Sequence, residues 1–298
     1  MYLNFTKYRR IYFIFSGILI AGSVISLVIF GLKPGIEFTG GSIMEINFET
    51  RPENSVVQEK LKNLDLGEIT IQSTDEEGLI LRMKEVSEEI HQEIIQKLGE
   101  NNKIEELSFE SIGPTIGKEL KEKTIKAVIL ALIAITLYIA FAFRKISQTV
   151  SSWQYGIASL VALFHDILIP LGMFAILGKF YNAEITIPII AALLTILGYS
   201  VHDTIVIFDR IRENILLKRF SSFEEVVNAS LNQTLGRSIN TVLTVLIVLL
   251  AIFFFGGETL KYFALVLIIG ISCGAYSSIF IASSLLVSWL GWRKKISS

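Results

Sequence analysis

Three side chains in this sequence sit where a charge is costly, and two histidines accompany them. Asp203 and His202 fall in the inner half of an apolar run, and Asp166 and His165 near the middle of another. Arg237 stands just before a third. A carboxylate near the centre of a spanning helix costs about 2.5–3.5 kcal/mol, so each aspartate should face a partner or water. A protonatable Asp among helices, with an Arg near enough to discriminate its two charge states, is the minimum for a proton relay. A static ion pair that fixes helix packing would use the same residue types. By position alone Arg237 fits ordinary placement of basic residues on the inner side.

Other chemistry is poorly served. Gly113-Pro-Thr-Ile-Gly117-Lys118 has one residue too few between its glycines for a phosphate loop, and Glu119 stands where Ser or Thr is required. Nucleotide hydrolysis is therefore not expected, nor any other catalysis. Cys273 is the sole cysteine, which excludes a disulfide and any zinc site built on two or more cysteines. No metal, cofactor or nucleic acid is expected. Asn4-Phe-Thr6, Asn228-Ala-Ser230 and Asn232-Gln-Thr234 match the glycosylation pattern but fall on the inner side, as chance matches.

The elements that must position these residues are membrane helices. The chain is 52% hydrophobic with only 18% charged residues, and mean hydropathy is +0.57. A span needs about 20 mostly apolar residues to cross a ~30 Å hydrocarbon core. The uncharged runs are 11–32, 127–143, 239–255 and 262–292; 153–177 and 185–208 carry the buried ionisable residues. Six spans follow. Their expected ranges are 1–33 (with the N-terminal tail), 125–145, 153–178, 184–208, 239–256 and 261–292, closed by a tail at 293–298. Lys7, Arg9 and Arg10 precede the first run as in a signal peptide, but the run is longer than the usual 7–15 residues and no clear cleavage site follows, so an uncleaved helix is expected.

Charge sets the orientation. Residues 33–126 hold 12 basic and 20 acidic residues, while the remaining chain holds 15 basic and 8 acidic. Lys7, Arg9, Arg10, Arg144, Lys145, Arg210, Arg212, Lys218, Arg219, Arg237, Arg293, Lys294 and Lys295 fall on one side; only Lys179 and Lys261 mark the short loops of the other. Both termini are thus expected in the cytoplasm and the acidic segment 34–124 outside.

That segment reads as an α+β domain of ferredoxin-like order, β-α-β-β-α-β, between the first two spans. Met44, Ile46 and Phe48 alternate with polar residues as in a half-buried strand. Ser55-x-x-Gln58 resembles a capping box before Val57, Leu61 and Leu64. Ile69/Ile71 and Leu79/Leu81/Met83 flank a turn at 75–78; Ser87 opens a helix with Ile90, Ile94 and Leu98 inward, which Gly99 ends. A last strand is expected around 104–110. His91 reads as a solvated surface histidine. On the inner side, 209–238 reads as a connector whose Phe223, Val226, Val227 and Leu231 make an amphipathic surface helix entered through Ser221 or Ser222.

Several motifs now match one family in order. Gly35-Ile-Glu-Phe38-Thr-Gly40-Gly41 follows the first span, and Glu110-Ser-Ile-Gly113-Pro114-Thr-Ile-Gly117 precedes the second. His165-Asp166, the stretch Leu194-Thr-Ile-Leu-Gly198-Tyr199-Ser-Val-His-Asp-Thr-Ile-Val-Ile-Phe-Asp209-Arg210-Ile-Arg-Glu213, and Arg237-Ser-Ile-Asn-Thr241 follow. The ordered set resembles the SecD/SecF family of bacterial protein-export membrane proteins, of the RND (resistance-nodulation-division) superfamily. The resemblance implies a SecD partner with a matching six-helix unit in the bacterial cytoplasmic (inner) membrane. It further implies use of the proton-motive force to help draw unfolded polypeptides from the SecYEG channel after the SecA motor. It carries relay roles onto Asp203 and Arg237. Where many members have Asn before the aspartate, this chain has His202. Membrane lipid surrounds such a protein. A small-molecule or lipid exporter and a non-transporting scaffold are the rival expectations.

Overall fold

The computed structural model describes residues 3–74, 77–100, 102–142 and 150–296. Two units are present: one of residues 34–126, and one of residues 1–33 and 127–298.

The smaller unit begins with a short helical turn α2 (Ile36–Thr39), preceded in the chain by α1 (Arg9–Phe30) of the larger unit. It continues as β1 (Gly41–Phe48), α3 (Asn54–Leu61), β2 (Thr70–Ser73), β3 (Gly78–Met83), α4 (Glu88–Gly99) and β4 (Ile104–Ile112). The strands form one antiparallel sheet in the order β2-β3-β1-β4. Alternation along β1 sends Met44, Ile46 and Phe48 to one face, in register with Leu81 and Leu79 across β3. Val57 and Leu61 of α3 and Ile94 and Leu98 of α4 close over that face, so the core is apolar throughout. Each such side chain contributes about 1.5–3 kcal/mol when fully buried. The register between β1 and β4 shifts at Glu45/Ile46, a bulge that lets the nine-residue β4 follow its neighbour.

Local readings fare unevenly. Ser87 does stand at the N-cap position of α4, although its side chain makes no capping hydrogen bond, and Gly99 is the last residue of the helix. The expected capping box at Ser55 does not form: α3 starts two residues earlier, at Asn54 with Glu53 at its cap, and the Ser55 hydroxyl donates to Glu53. His91 is not a surface residue. It is 5% exposed, because its ring stacks on Phe109 with centroids 3.8 Å apart and its two nitrogens meet Glu88 (3.2 Å) and Glu106 (3.1 Å). The turn residue Asp75 lies outside the described residues.

In the larger unit α1 is joined by the far part of α5 (Pro114–Ala142), then α6 (Ser152–Tyr181), α7 (Ile187–Leu216), α8 (Phe223–Phe255) and α9 (Glu258–Tyr276). A π-helical turn, Ser277–Ala282, leads into α10 (Ser283–Ile296). Among the described residues, five helical runs are long and apolar enough to cross a membrane: Thr6–Phe30, Ser152–Tyr181, Ile187–Leu216, Phe223–Phe255 and Leu260–Gly291. The expected span 125–145 is described only to Ala142; Arg144 and Lys145 lie outside the described residues.

The segment 209–238 differs from a separate surface helix. α7 continues to Leu216, and α8 begins at Phe223, so only a short turn separates them. Ser222 caps α8 by accepting from the Glu225 amide at 3.2 Å. Val226, Val227 and Leu231 are buried against Tyr155, Phe208 and Ile211 instead of lying on lipid. The apolar face that reads as amphipathic is thus a core face.

Two asparagines of the apparent glycosylation sites hold the N-terminal segment to α8. Asn232 accepts from the Leu3 amide (2.9 Å) and donates to the Leu3 carbonyl (2.8 Å). Asn228 accepts from the Thr6 amide (3.1 Å) and donates to its hydroxyl (2.7 Å). Arg9 and Glu224 add an ion pair at 3.0 Å.

Candidate functional site

The ionisable residues of the bundle fall into two buried centres. Asp203 is 7% exposed on α7. Its Oδ1 accepts a 2.7 Å hydrogen bond from Ser238 of α8. Its Oδ2 is buried and has no hydrogen-bond partner among the described residues. One carboxylate oxygen is therefore fixed to the neighbouring helix and the other is not.

Asp166 is fully buried on α6. Its Oδ2 accepts from Ser200 of α7 (2.5 Å) and from Ser277 of the π-helical turn (2.7 Å). His165 Nδ1 lies 2.9 Å from Oδ1. The ring is 1% exposed, and Nε2 has no hydrogen-bond partner among the described residues. Thr204, one turn along α7 from Ser200, shares a 2.7 Å hydrogen bond with Ser278. Two carboxylates on adjacent helices are thus each held by hydroxyls. Either form of a carboxyl group is compatible with such partners, because a hydroxyl both donates and accepts.

Arg237 and His202 are not drawn into this arrangement. Both are exposed on the chain's surface, and neither forms an ion pair among the described residues. On α8 it is the next residue, Ser238, that turns toward Asp203. Tyr199 is half-buried, with a buried hydroxyl that has no partner among the described residues, and Gly198 is exposed with open space around it. Asp209 and Arg210 lie further along α7. Arg210 reaches Glu213 (2.5 Å) and Gln233 of α8 (2.7 Å), and Asp209 sits 3.5 Å from Arg212.

Sequence reasoning overlooked Ser200, Thr204, Ser238, Ser277, Ser278 and Ser283. Their signal was the crowding of hydroxyls in otherwise apolar helices, where a small polar residue usually bonds across to a neighbour.

The glycine motifs belong to the smaller unit and work by close approach. Gly40 has φ +76°, and a Cβ there would lie 2.8 Å from Pro114 Cα. Gly41, at φ +133°, would place one 2.8 Å from the Met83 carbonyl. A Cβ on Gly117 would meet the Gly40 amide nitrogen at 2.9 Å. Gly113 faces Glu85 more loosely at 3.2 Å. The two motifs therefore interlock, backbone on backbone, with Gly35 and Phe38 forming the turn between Pro34 and β1. Gly117-Lys118 is part of this packing and of no phosphate loop.

A run of apolar helices with carboxylates buried between them, carrying a small α/β unit, defines a multi-pass membrane protein of transporter type. Residues 90–292 match the family model described as protein export membrane protein SecD/SecF, C-terminal, and residues 25–50 match the SecD/SecF GG motif. The chain belongs to the SecD/SecF family of protein export membrane proteins. It is 43% identical to the protein translocase subunit SecF of Thermobaculum terrenum, over 96% of this chain and 94% of that one. It is 37% identical to the SecF subunit of Anaerolinea thermophila, over 98% and 96%. The protein translocase subunit SecDF of Thermus thermophilus is 38% identical, but there 89% of this chain covers 35% of the longer protein. The crystal structure of that organism's SecDF is similar with a TM-score of 0.85 and 36% identity, covering 97% of this chain and 39% of that one.

Proposed function

We propose that this chain is the SecF-type subunit of an accessory protein-export complex, driven by protons that load and leave Asp203. The observation that carries this is the half-satisfied carboxylate: Asp203 is buried between α7 and α8, tied at Oδ1 and open at Oδ2. A buried group with one unpartnered oxygen has room to change charge, whereas a purely structural carboxylate would be saturated. Arg237 stands one residue from Ser238, exposed in the isolated chain, and acts in the relay from the face turned to the partner. His202 borders the same face, and Asp166 forms the second centre.

The partner is a SecD-type chain. Support comes from the Thermus relative, in which a segment matching this chain is 35% of a single SecDF protein. The complex would assist SecYEG and SecA in moving unfolded polypeptides across the bacterial inner membrane. Six spans complete the bundle, with α5 as the second. Residues 34–124 then form a ferredoxin-like domain outside, a reading supported by the strand order and by thirteen basic residues against two. Protonation of Asp203 weakens what holds α7 to α8, and the resulting helix movement passes to the domain that grips the emerging chain.

The test is precursor translocation into inverted vesicles carrying this chain and its SecD-type partner, with and without a proton gradient. Asp203→Asn should insert normally and lose the gradient-dependent part. Full gradient-dependent export by that variant would make Asp203 a packing residue and the chain a scaffold.

A further inference from the structure

The π-helical turn between α9 and α10 has no part in the relay as proposed, yet it touches a carboxylate. A π turn is less favourable than α-helix and occurs mostly as single turns, frequently at functional sites. Here three buried serines hold it. Ser277 donates to Asp166 Oδ2 (2.7 Å). Ser278 pairs with Thr204 (2.7 Å). Ser283 donates to the Ser278 carbonyl (3.1 Å), capping an acceptor inside the turn. Only the first of these bonds ends on an ionisable group.

Its strength depends on charge. Hydrogen bonds to an ionised carboxylate are roughly twice as strong as those to a neutral acceptor. Asp166 Oδ2 receives both Ser200 and Ser277, so whatever changes the charge of this one oxygen acts on the turn directly. The titratable groups around the pair are His165 on α6, Cys273 and Tyr276 on α9, and Tyr12 on α1, whose carbonyl accepts from the Tyr276 hydroxyl. Asp203 stands one turn from Ser200 along α7. No Lys or Arg among the described residues forms an ion pair with Asp166. His165 supplies the route: a proton taken up at its unpartnered Nε2 lets Nδ1 pass its own proton to Asp166 Oδ1, leaving the ring neutral and the carboxyl neutral.

We propose that the His165–Asp166 pair is a second proton-holding centre and that Ser277 is its positioning residue, locking the π turn while Asp166 is charged. Once Asp166 is neutral the lock weakens and the turn closes to α-helix. Removing one residue's worth of bulge turns α10 by about 100° and moves it about 1.5 Å relative to α9. The device couples a proton on α6 to the orientation of the last helix. It deepens the relay reading, but its geometry does not depend on Asp203.

The test uses the full chain in lipid nanodiscs with Cys273→Ala and spin labels at Trp153→Cys on α6 and Gly291→Cys on α10, both exposed positions. The label distance should shift by several ångströms between pH 8 and pH 5. Asp166→Asn and Ser277→Ala should show the acid distribution at every pH, while Ser277→Thr, which keeps the hydroxyl, should retain the shift. An unchanged distance across pH in the labelled parent, or a normal shift in Asp166→Asn, overturns the proposal. Asp203→Asn should keep the shift. A shift without any gradient dependence of translocation would sink the relay reading and leave the switch standing; gradient-dependent translocation without a shift would do the reverse.

Discussion

Ser238 on α8 donates a 2.7 Å hydrogen bond to Asp203 on α7, while Arg237, one position earlier, is exposed. Successive helix residues point about 100° apart, so the two cannot both face the aspartate from one straight helix. The hydroxyl positions the carboxylate, and Arg237 is exposed on the chain's surface.

That division of labour separates three variants. Arg237→Met should remove gradient-dependent translocation as completely as Asp203→Asn, because the cation is lost. Ser238→Ala loses one hydrogen bond of about 1 kcal/mol and should reduce the gradient-dependent rate several-fold without abolishing it. Asp203→Glu, which keeps a titratable group, should retain part of the activity. Translocation rates with and without uncoupler decide among them, and an Arg237→Met variant with full activity would remove the arginine from the relay.

Glycine interlock predicts a position-dependent cost. Gly40→Ala forces an L-residue into φ +76° and drives Cβ into Pro114, and Gly117→Ala drives Cβ into the Gly40 backbone. Gly40→Ala should cost about 2–4 kcal/mol, from backbone strain compounded by overpacking, and Gly117→Ala about 1–3 kcal/mol from overpacking alone. Gly198→Ala, with nothing within 4 Å, should be nearly neutral in stability. Thermal unfolding of the full chain in detergent, compared across the three, measures this. Equal losses at all three sites would contradict the interlock.

The smaller unit should fold alone as residues 34–126, since apolar side chains of its own strands and helices close its core, and its acid limb should carry a signature of Glu88. That carboxyl is held below its ordinary value of 4.5, first by the Gln92 side chain and then by His91. A depressed folded value stabilises fully at pH above 4.5 and is lost as pH falls through the lower value. Glu88→Gln should therefore lower the melting temperature at pH 7, and its difference from the parent should shrink as pH falls below 4.5. A constant difference across the pH range would rule out the linkage. His91→Ala, which removes a buried ring stacked on Phe109, should cost about 1–3 kcal/mol at neutral pH.

Orientation is checked with single thiols in intact spheroplasts, on a Cys273→Ala background. Asn63→Cys, exposed in the smaller unit, should react with an impermeant reagent. Lys218→Cys, exposed between α7 and α8, should be protected until the membrane is opened. The reverse pattern would overturn the inside-positive reading.

The sequence alone determined the features that depend on composition along the chain. Apolar runs must be membrane helices because each backbone amide needs a partner within its own segment. Alternation along 44–48 must be a strand with one buried face, and two lone aspartates in apolar runs must be facing something polar. What they face was decided only by tertiary structure, because hydrogen-bond partners come from helices far apart in sequence: Ser277 reaches Asp166 across 111 positions. The same holds for His91, whose helical position is legible but whose burial depends on Phe109 arriving from β4. Phe223–Leu231 looked like a helix lying on lipid, since an apolar stripe has the same period whether it meets acyl chains or a protein core; packing against Tyr155 and Phe208 chose the core. The π-helical turn left no periodic trace at all, for two of its serines, Ser277 and Ser278, bond to Asp166 and Thr204, which the chain's one-dimensional order keeps far from them.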